Sequence, residues 1–241
     1  MSISATGARE AYGHWHSQHG VDNSSNTPWY QQVKTALHEL GGVENLSILD
    51  IGSGSGGLSC WIGSSQPRAA RVVAADFSPE AVELGMAAAR SIGVSSVEWR
   101  VEDIQAIREA DASFDRVISC ETIEHVPNPR LALRELARVL KPGGFLILTH
   151  PNYFSTIGLY RLSLWMRGRK YTEEGQPINH PLRSTQVRGW IRKSGLQLKP
   201  IRSVGHYSII PGRLPRESAW LAQPRALMKW FGFHPIHVAR K

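Results

Sequence analysis

Cysteine is scarce in this chain: Cys60 and Cys120, the only two in 241 residues, give neither a disulfide framework nor the paired spacing of a zinc finger. Long hydrophobic runs are lacking too. No apolar stretch has the length needed to cross a bilayer, and the opening segment, Met1 to Gly7, has no apolar core of a secretory leader, so a cytoplasmic protein is expected. The sequence has no internal repeat or low-complexity tract, which argues against a solenoid or a linker. Acidic residues are rare at one end. Residues 151–241 hold 16 Lys+Arg against 3 Asp+Glu, while residues 1–150 hold 12 against 17, so net charges of +13 and −5 make up the total of +8. This asymmetry points to an anionic partner on the basic side: a phosphate-bearing small molecule, a nucleic acid or an anionic membrane surface.

What the chain does have is strand alternating with helix. Apolar strands at 46–51, 71–76, 114–118 and 145–148 are separated by helical patterns at 79–92 and 129–140, and a further helix is expected at 184–194. Ser78-Pro79 reads as an N-cap followed by proline at the first helical position. Strands at about 197–204 and 235–239, the last antiparallel, would complete the sheet. The expected fold is α/β: a Rossmann-like, doubly wound, seven-stranded and mostly parallel sheet, with an N-terminal lid and a helical insert after strand 5. The expected single domain comprises lid residues 1–44, a cofactor-binding core at 45–150, a substrate-side cap at 151–183 and a C-terminal completion of the sheet at 184–241.

The first strand runs into Asp50-Ile51-Gly52-Ser53-Gly54-Ser55-Gly56-Gly57. Gly52, Gly54 and Gly57 satisfy the spacing of a dinucleotide turn, in which glycines let the backbone approach a pyrophosphate. Asp50 changes that reading, because a carboxylate in front of the turn repels a pyrophosphate and favours a cationic ligand. S-adenosylmethionine, with its ammonium and sulfonium, is such a ligand. Asp76 ends the second strand, where an acid can hold ribose hydroxyls.

These motifs, with Val101-Glu102-Asp103-Ile104, Phe114-Asp115-Arg116-Val117-Ile118 and the segment Leu140 to Leu148 in the same order, resemble those of the class I S-adenosylmethionine-dependent methyltransferases over roughly residues 45–200. The resemblance implies a cofactor site formed by Asp50, Gly52, Ser53, Gly54, Gly56, Asp76, Phe77, Asp103 and Ile104, with Asp103 on the adenine amine. Cys120, at the end of the fourth strand, lines that site or is a small buried filler. Cys60, in an apolar helix, is expected in the core.

Past the fourth strand comes Glu121-Thr122-Ile123-Glu124-His125. If this segment starts a helix, Glu121, Glu124 and His125 share one face and form a site for a divalent cation. The Glu-x-x-Glu-His pattern is similar to that of ubiquinone-pathway O-methyltransferases and small-RNA terminal 2′-O-methyltransferases, in which these side chains bind a magnesium-type ion. That resemblance implies Mg²⁺ or Mn²⁺ on Glu121, Glu124 and His125, with His180 as the later ligand. A metal there would chelate two neighbouring hydroxyls and acidify one. Without a metal, His125 or His180 is the general base, oriented by Glu121 or Glu124. His150 is a further candidate.

In the insert, Ile157, Leu159, Tyr160, Leu162, Leu164, Trp165 and Met166 precede Arg167, Arg169 and Lys170. This reads as an amphipathic helix that lies on a membrane, closes over substrate or packs as a cap. His14, His16 and His19, beside Trp15, fall in the N-terminal lid. The expected activity is O-methyl transfer to a small molecule with adjacent hydroxyls, catechol-like or sugar-like. The alternatives are an RNA 2′-O-methyltransferase and a non-catalytic cofactor-binding subunit. A homodimer is compatible with either activity.

Overall fold

Strands that read apolar throughout need cover on both faces, and the chain supplies it with helices between parallel strands. The computed structural model describes residues 7, 11–14, 26–168, 178–205, 207–208, 216–217, 220, 223 and 228–241. In chain order they form α1 (Pro28–Glu39), β1 (Ser47–Ile51), α2 (Gly57–Ser64), β2 (Arg71–Asp76), α3 (Pro79–Ser91), β3 (Val97–Val101), β4 (Phe114–Cys120), α4 (Pro129–Val139), β5 (Leu140–Thr149) and α5 (Thr156–Trp165). There follow α6 (Ser184–Lys193), β6 (Gln197–Leu198), β7 (Arg202–Val204), β8 (Tyr207–Ser208), β9 (Arg216–Glu217), α7 (Met228–Phe231) and β10 (His234–Arg240).

The main sheet has the order β3-β2-β1-β4-β5-β10-β6, with β7 also paired to β10, while β8 and β9 form a separate ribbon. Strands β1 to β5 are parallel, and β10 runs antiparallel to β5, β6 and β7. The seven expected positions are there, but two short strands share the outermost one. Pro200 explains the break, since proline has no N–H for the ladder. Lys199 N still donates to Val238 O at 2.8 Å between them.

Alternation along each strand divides the core in two. Leu49, Val73, Val117 and Leu148 pack with Leu133 and Leu136 of α4 and Val187 and Ile191 of α6. Ile48, Val72, Ile118 and Ile147 pack on the other face with Val33 and Leu37 of α1 and Leu58 and Ile62 of α2. Each such fully buried side chain contributes about 1.5–3 kcal/mol. Helix starts follow the sequence: Ser78 Oγ accepts from Ala81 N at 3.1 Å and Asn128 Oδ1 from Leu131 N at 3.1 Å, each before a proline at the first turn. Strand order reverses between β1 and β4, so a crevice opens at the carboxyl ends of these strands.

The insert helix forms as α5, and Leu162, Trp165 and Met166 on and just after it are exposed. Arg161 lies over the Tyr153 ring at 4.2 Å. His14 is exposed. Trp15, His16, His19, Arg169 and Lys170 lie outside the described residues, as do the side chains of Ile157, Leu159 and Tyr160. Among the described residues, no helix is long and apolar enough to cross a membrane.

Candidate active site

The glycine turn folds back over the tip of β2, with Gly52 N and Ser53 N both donating to Ala75 O at 2.8 and 3.0 Å. Gly52 and Gly56 have φ of +74° and +79°, and a Cβ on Gly56 would stand 2.1 Å from the Trp99 ring. Only glycine meets both demands. Asp76 is pinned by backbone donors, its Oδ2 accepting from Gly54 N at 2.8 Å and its Oδ1 from Ser78 N at 3.0 Å. One carboxylate thus joins the glycine turn to the end of β2, beside the half-buried Phe77.

Asp50 is buried behind the turn, accepting from Ser59 Oγ at 2.5 Å. Burial pushes its carboxyl up to about 6; the Ser59 hydrogen bond opposes this and the neighbouring charge of Asp76 adds to it. In the next segment the two acids take different roles. Glu102 is buried and accepts from Arg108 N at 2.9 Å, a structural tie, whereas Asp103 is partly exposed and accepts from Gln105 N at 2.8 Å. Ile104 is buried next to it. Cys120 is buried, and its thiol is pushed well above the usual range by that burial, as expected of a neutral filler.

The turn after β4 differs from its expected form. Glu121 has φ of +50°, a left-handed conformation, and only Ile123–His125 is helical, as a 3-10 turn. The helical spacing that would align three side chains is therefore not reached. Thr122 packs against Gly52 where any side chain on that glycine would go. Glu124 points inward and is fully buried. His125 is largely buried, with Nδ1 at 2.8 Å from Ile178 O and Nε2 at 3.5 Å from Glu124 Oε1. Burial holds this imidazole below its ordinary pKa, so the neutral ring dominates at neutral pH. Tyr12, in the helical residues 11–14, donates to His125 O and Ile178 O, both at 3.2 Å, which ties this N-terminal residue to the turn.

Glu121 turns instead to β10. Its Oε2 pairs with His234 Nδ1 at 3.0 Å. Burial works against the charge, but His234, Thr149 and His150 outweigh it and hold the carboxyl below its usual range. His180 is tied to the same turn, its N donating to Glu124 O at 2.8 Å and its Nε2 lying 2.9 Å from Val126 O. The four residues expected to share a metal are thus divided among a pair with His234, a carbonyl contact and an inward carboxylate. Among the described residues no group of three or more His, Cys, Asp or Glu side chains is arranged to hold a metal ion. The quartet does not fit a divalent cation in this arrangement. His150 is fully buried, held by Pro151 O at 2.8 Å and His237 Nε2 at 3.1 Å. Burial pushes it down to about 4, which makes it an interior residue.

Residues 49–148 match the methyltransferase domain family. A ubiquinone biosynthesis O-methyltransferase of Xanthomonas euvesicatoria is 34% identical over 178 residues, which are 71% of this chain and 69% of that protein. The chain belongs to the class I S-adenosylmethionine-dependent methyltransferases. A similarly named protein of Hahella chejuensis is 30% identical over 72% of each chain. Two solved S-adenosylmethionine-dependent methyltransferases share the methyltransferase's fold. The one from Methanosarcina mazei has a TM-score of 0.63 at 22% identity, covering 86% of this chain and 96% of that one. The one from Mesorhizobium loti has a TM-score of 0.61 at 16% identity, covering 90% and 99%. The site suits the family's cofactor: positive-φ glycines let the backbone approach closely, and two carboxylates, Asp50 and Asp76, flank the turn.

His234 carried no motif in the sequence. Its signal is its place at the head of an antiparallel last strand, which delivers it to the carboxyl edge of the parallel strands.

Proposed function

We propose that this methyltransferase transfers its methyl group to a hydroxyl of a small molecule with adjacent hydroxyls, catechol-like or sugar-like. The observation that carries the reading is the neutral His125 imidazole just past β4, beside the glycine turn, with Nδ1 on Ile178 O. The names of its relatives, ubiquinone biosynthesis O-methyltransferases, support a hydroxyl acceptor. The bound cofactor supplies an electrophilic methyl on a sulfonium. Asp50, Asp76 and Asp103, with Gly52, Ser53, Gly54, Gly56, Phe77 and Ile104, would hold it, the acids favouring its positive charge, its ribose hydroxyls and its adenine amine.

Nδ1 keeps its hydrogen on Ile178 O, so the lone pair is on Nε2. Nε2 takes the hydroxyl proton as oxygen attacks the methyl in line. Glu124, 3.5 Å away, and Glu121, whose charge acts on the ring, stabilise the resulting imidazolium. His180 holds the turn in place through Val126 O. The exposed Leu162, Trp165 and Met166 beside Arg167 support contact of the cap with an anionic membrane surface, which co-sedimentation with phosphatidylglycerol vesicles tests.

The deciding experiment incubates the enzyme with S-adenosylmethionine and catechol, diol-sugar and RNA acceptors, and measures S-adenosylhomocysteine. Turnover on a hydroxylated small molecule, reduced about 10²- to 10⁴-fold in His125→Ala with cofactor affinity retained, is expected. Methylation of RNA alone would replace this reading. Cofactor binding without turnover on any acceptor would make the chain a binding subunit.

A further inference from the structure

We infer that His234 is a positioning residue for methyl transfer, holding Glu121 in the orientation from which its carboxylate stabilises the His125 imidazolium formed in turnover. The inference rests on the reading of the His125 turn given above. Glu121 leaves β4 at φ +50°, a conformation that costs a non-glycine residue about 1–2 kcal/mol. Its backbone N donates to Thr149 O at 3.2 Å, which fixes the residue at the carboxyl ends of β4 and β5. Its Oε2 accepts the His234 Nδ1 hydrogen at 3.0 Å, and the Thr149 side chain also favours the charged carboxylate. The other oxygen, Oε1, has no hydrogen-bond partner among the described residues, although it is buried.

A buried carboxylate oxygen with no partner is costly for stability alone. An oxygen held ready for a group that arrives during turnover accounts for it. His234 is itself clamped. The Trp29 ring of α1 lies 4.4 Å from its ring, centroid to centroid, and the Phe233 ring lies 4.3 Å away. Its side chain is 4% exposed, so the imidazole has little room to turn. The α1 helix thus packs on His234 at the head of β10, and His234 in turn holds the carboxylate that follows β4.

The test compares wild type, His234→Leu, His234→Asn and Glu121→Gln with S-adenosylmethionine and catechol as acceptor, or whichever small hydroxylated acceptor the wild type methylates best. Cofactor affinity is measured separately by calorimetry. His234→Leu is expected to lose roughly ten- to a hundredfold in kcat, with KM and cofactor affinity changed less than about twofold. His234→Asn, whose amide can donate near the Nδ1 position, is expected to recover most of the loss. Wild-type kcat in His234→Leu, with Glu121→Gln impaired, would overturn the role of His234 and leave the proposed function intact. A loss in His234→Leu that His234→Asn does not restore, accompanied by weaker cofactor binding, would also overturn it. Absence of methylation of any hydroxyl by the wild type would instead defeat the underlying functional reading.

Discussion

Asp50 stands in the molecule at a cost that can be measured. Its carboxyl is 2% exposed and is pushed from its ordinary 3.8 to about 6, by burial first. Between those two values the folded chain holds a proton that the unfolded chain has released. Stability is therefore fullest below about pH 4 and falls as pH rises through about 6. The difference amounts to about 3 kcal/mol at neutral pH, a sizeable part of the 5–15 kcal/mol typical of a domain. Asp50→Asn removes the titration. Its own fixed cost, from placing an amide beside Ser59, does not vary with pH, so the informative quantity is the wild-type stability minus that of the variant. Urea unfolding of the cofactor-free proteins between about pH 4 and pH 7 should show this difference falling by about 3 kcal/mol. Saturating S-adenosylmethionine, a cation that favours the ionised carboxylate, should flatten the wild-type decline, and Asp50→Asn should bind the cofactor more weakly. A difference that stays level, or grows with pH, would refute the argument.

Gly56→Ala should cost about 3 kcal/mol in chemical denaturation, because φ is +79° and Trp99 stands 2.1 Å from the new Cβ. Adding Trp99→Leu should recover the steric share and leave the conformational one. Asp76→Ala deletes acceptors for Gly54 N and Ser78 N and should weaken cofactor affinity roughly ten- to a hundredfold by calorimetry. Turnover should survive treatment with EDTA, since among the described residues no three of Glu121, Glu124, His125 and His180 are arranged to hold an ion. Loss of activity restored by Mg²⁺ would show that the quartet assembles on substrate.

The sequence was most informative where function depends on near neighbours. Asp50 and the glycines occupy one continuous turn, and Asp76 follows from where a strand must end before the Ser78 cap. The sheet was readable for the same reason, because each strand's apolar run reports two covered faces. The edge was read less well: a single strand was expected over 197–204, yet Pro200 interrupts the ladder. The site beyond β4 was legible only in composition. A helical spacing for Glu121, Glu124 and His125 assumed ordinary right-handed backbone, whereas Glu121 takes a left-handed φ and pairs its carboxylate with His234. Two partners could not be seen in any motif. Ile178 acts through its carbonyl, which every residue type has, and His234 acts through the register of an antiparallel strand.

That register has a consequence for when the enzyme becomes active during synthesis. Glu121 and His234 lie 113 positions apart, while the glycine turn and Asp76 come from neighbouring early segments. A nascent chain could form its cofactor cradle from β1 and β2 well before β10 exists. If His234 is needed to aim Glu121, such a chain would hold the methyl donor without discharging it. Insertion of the antiparallel strand would then be the folding event that confers activity.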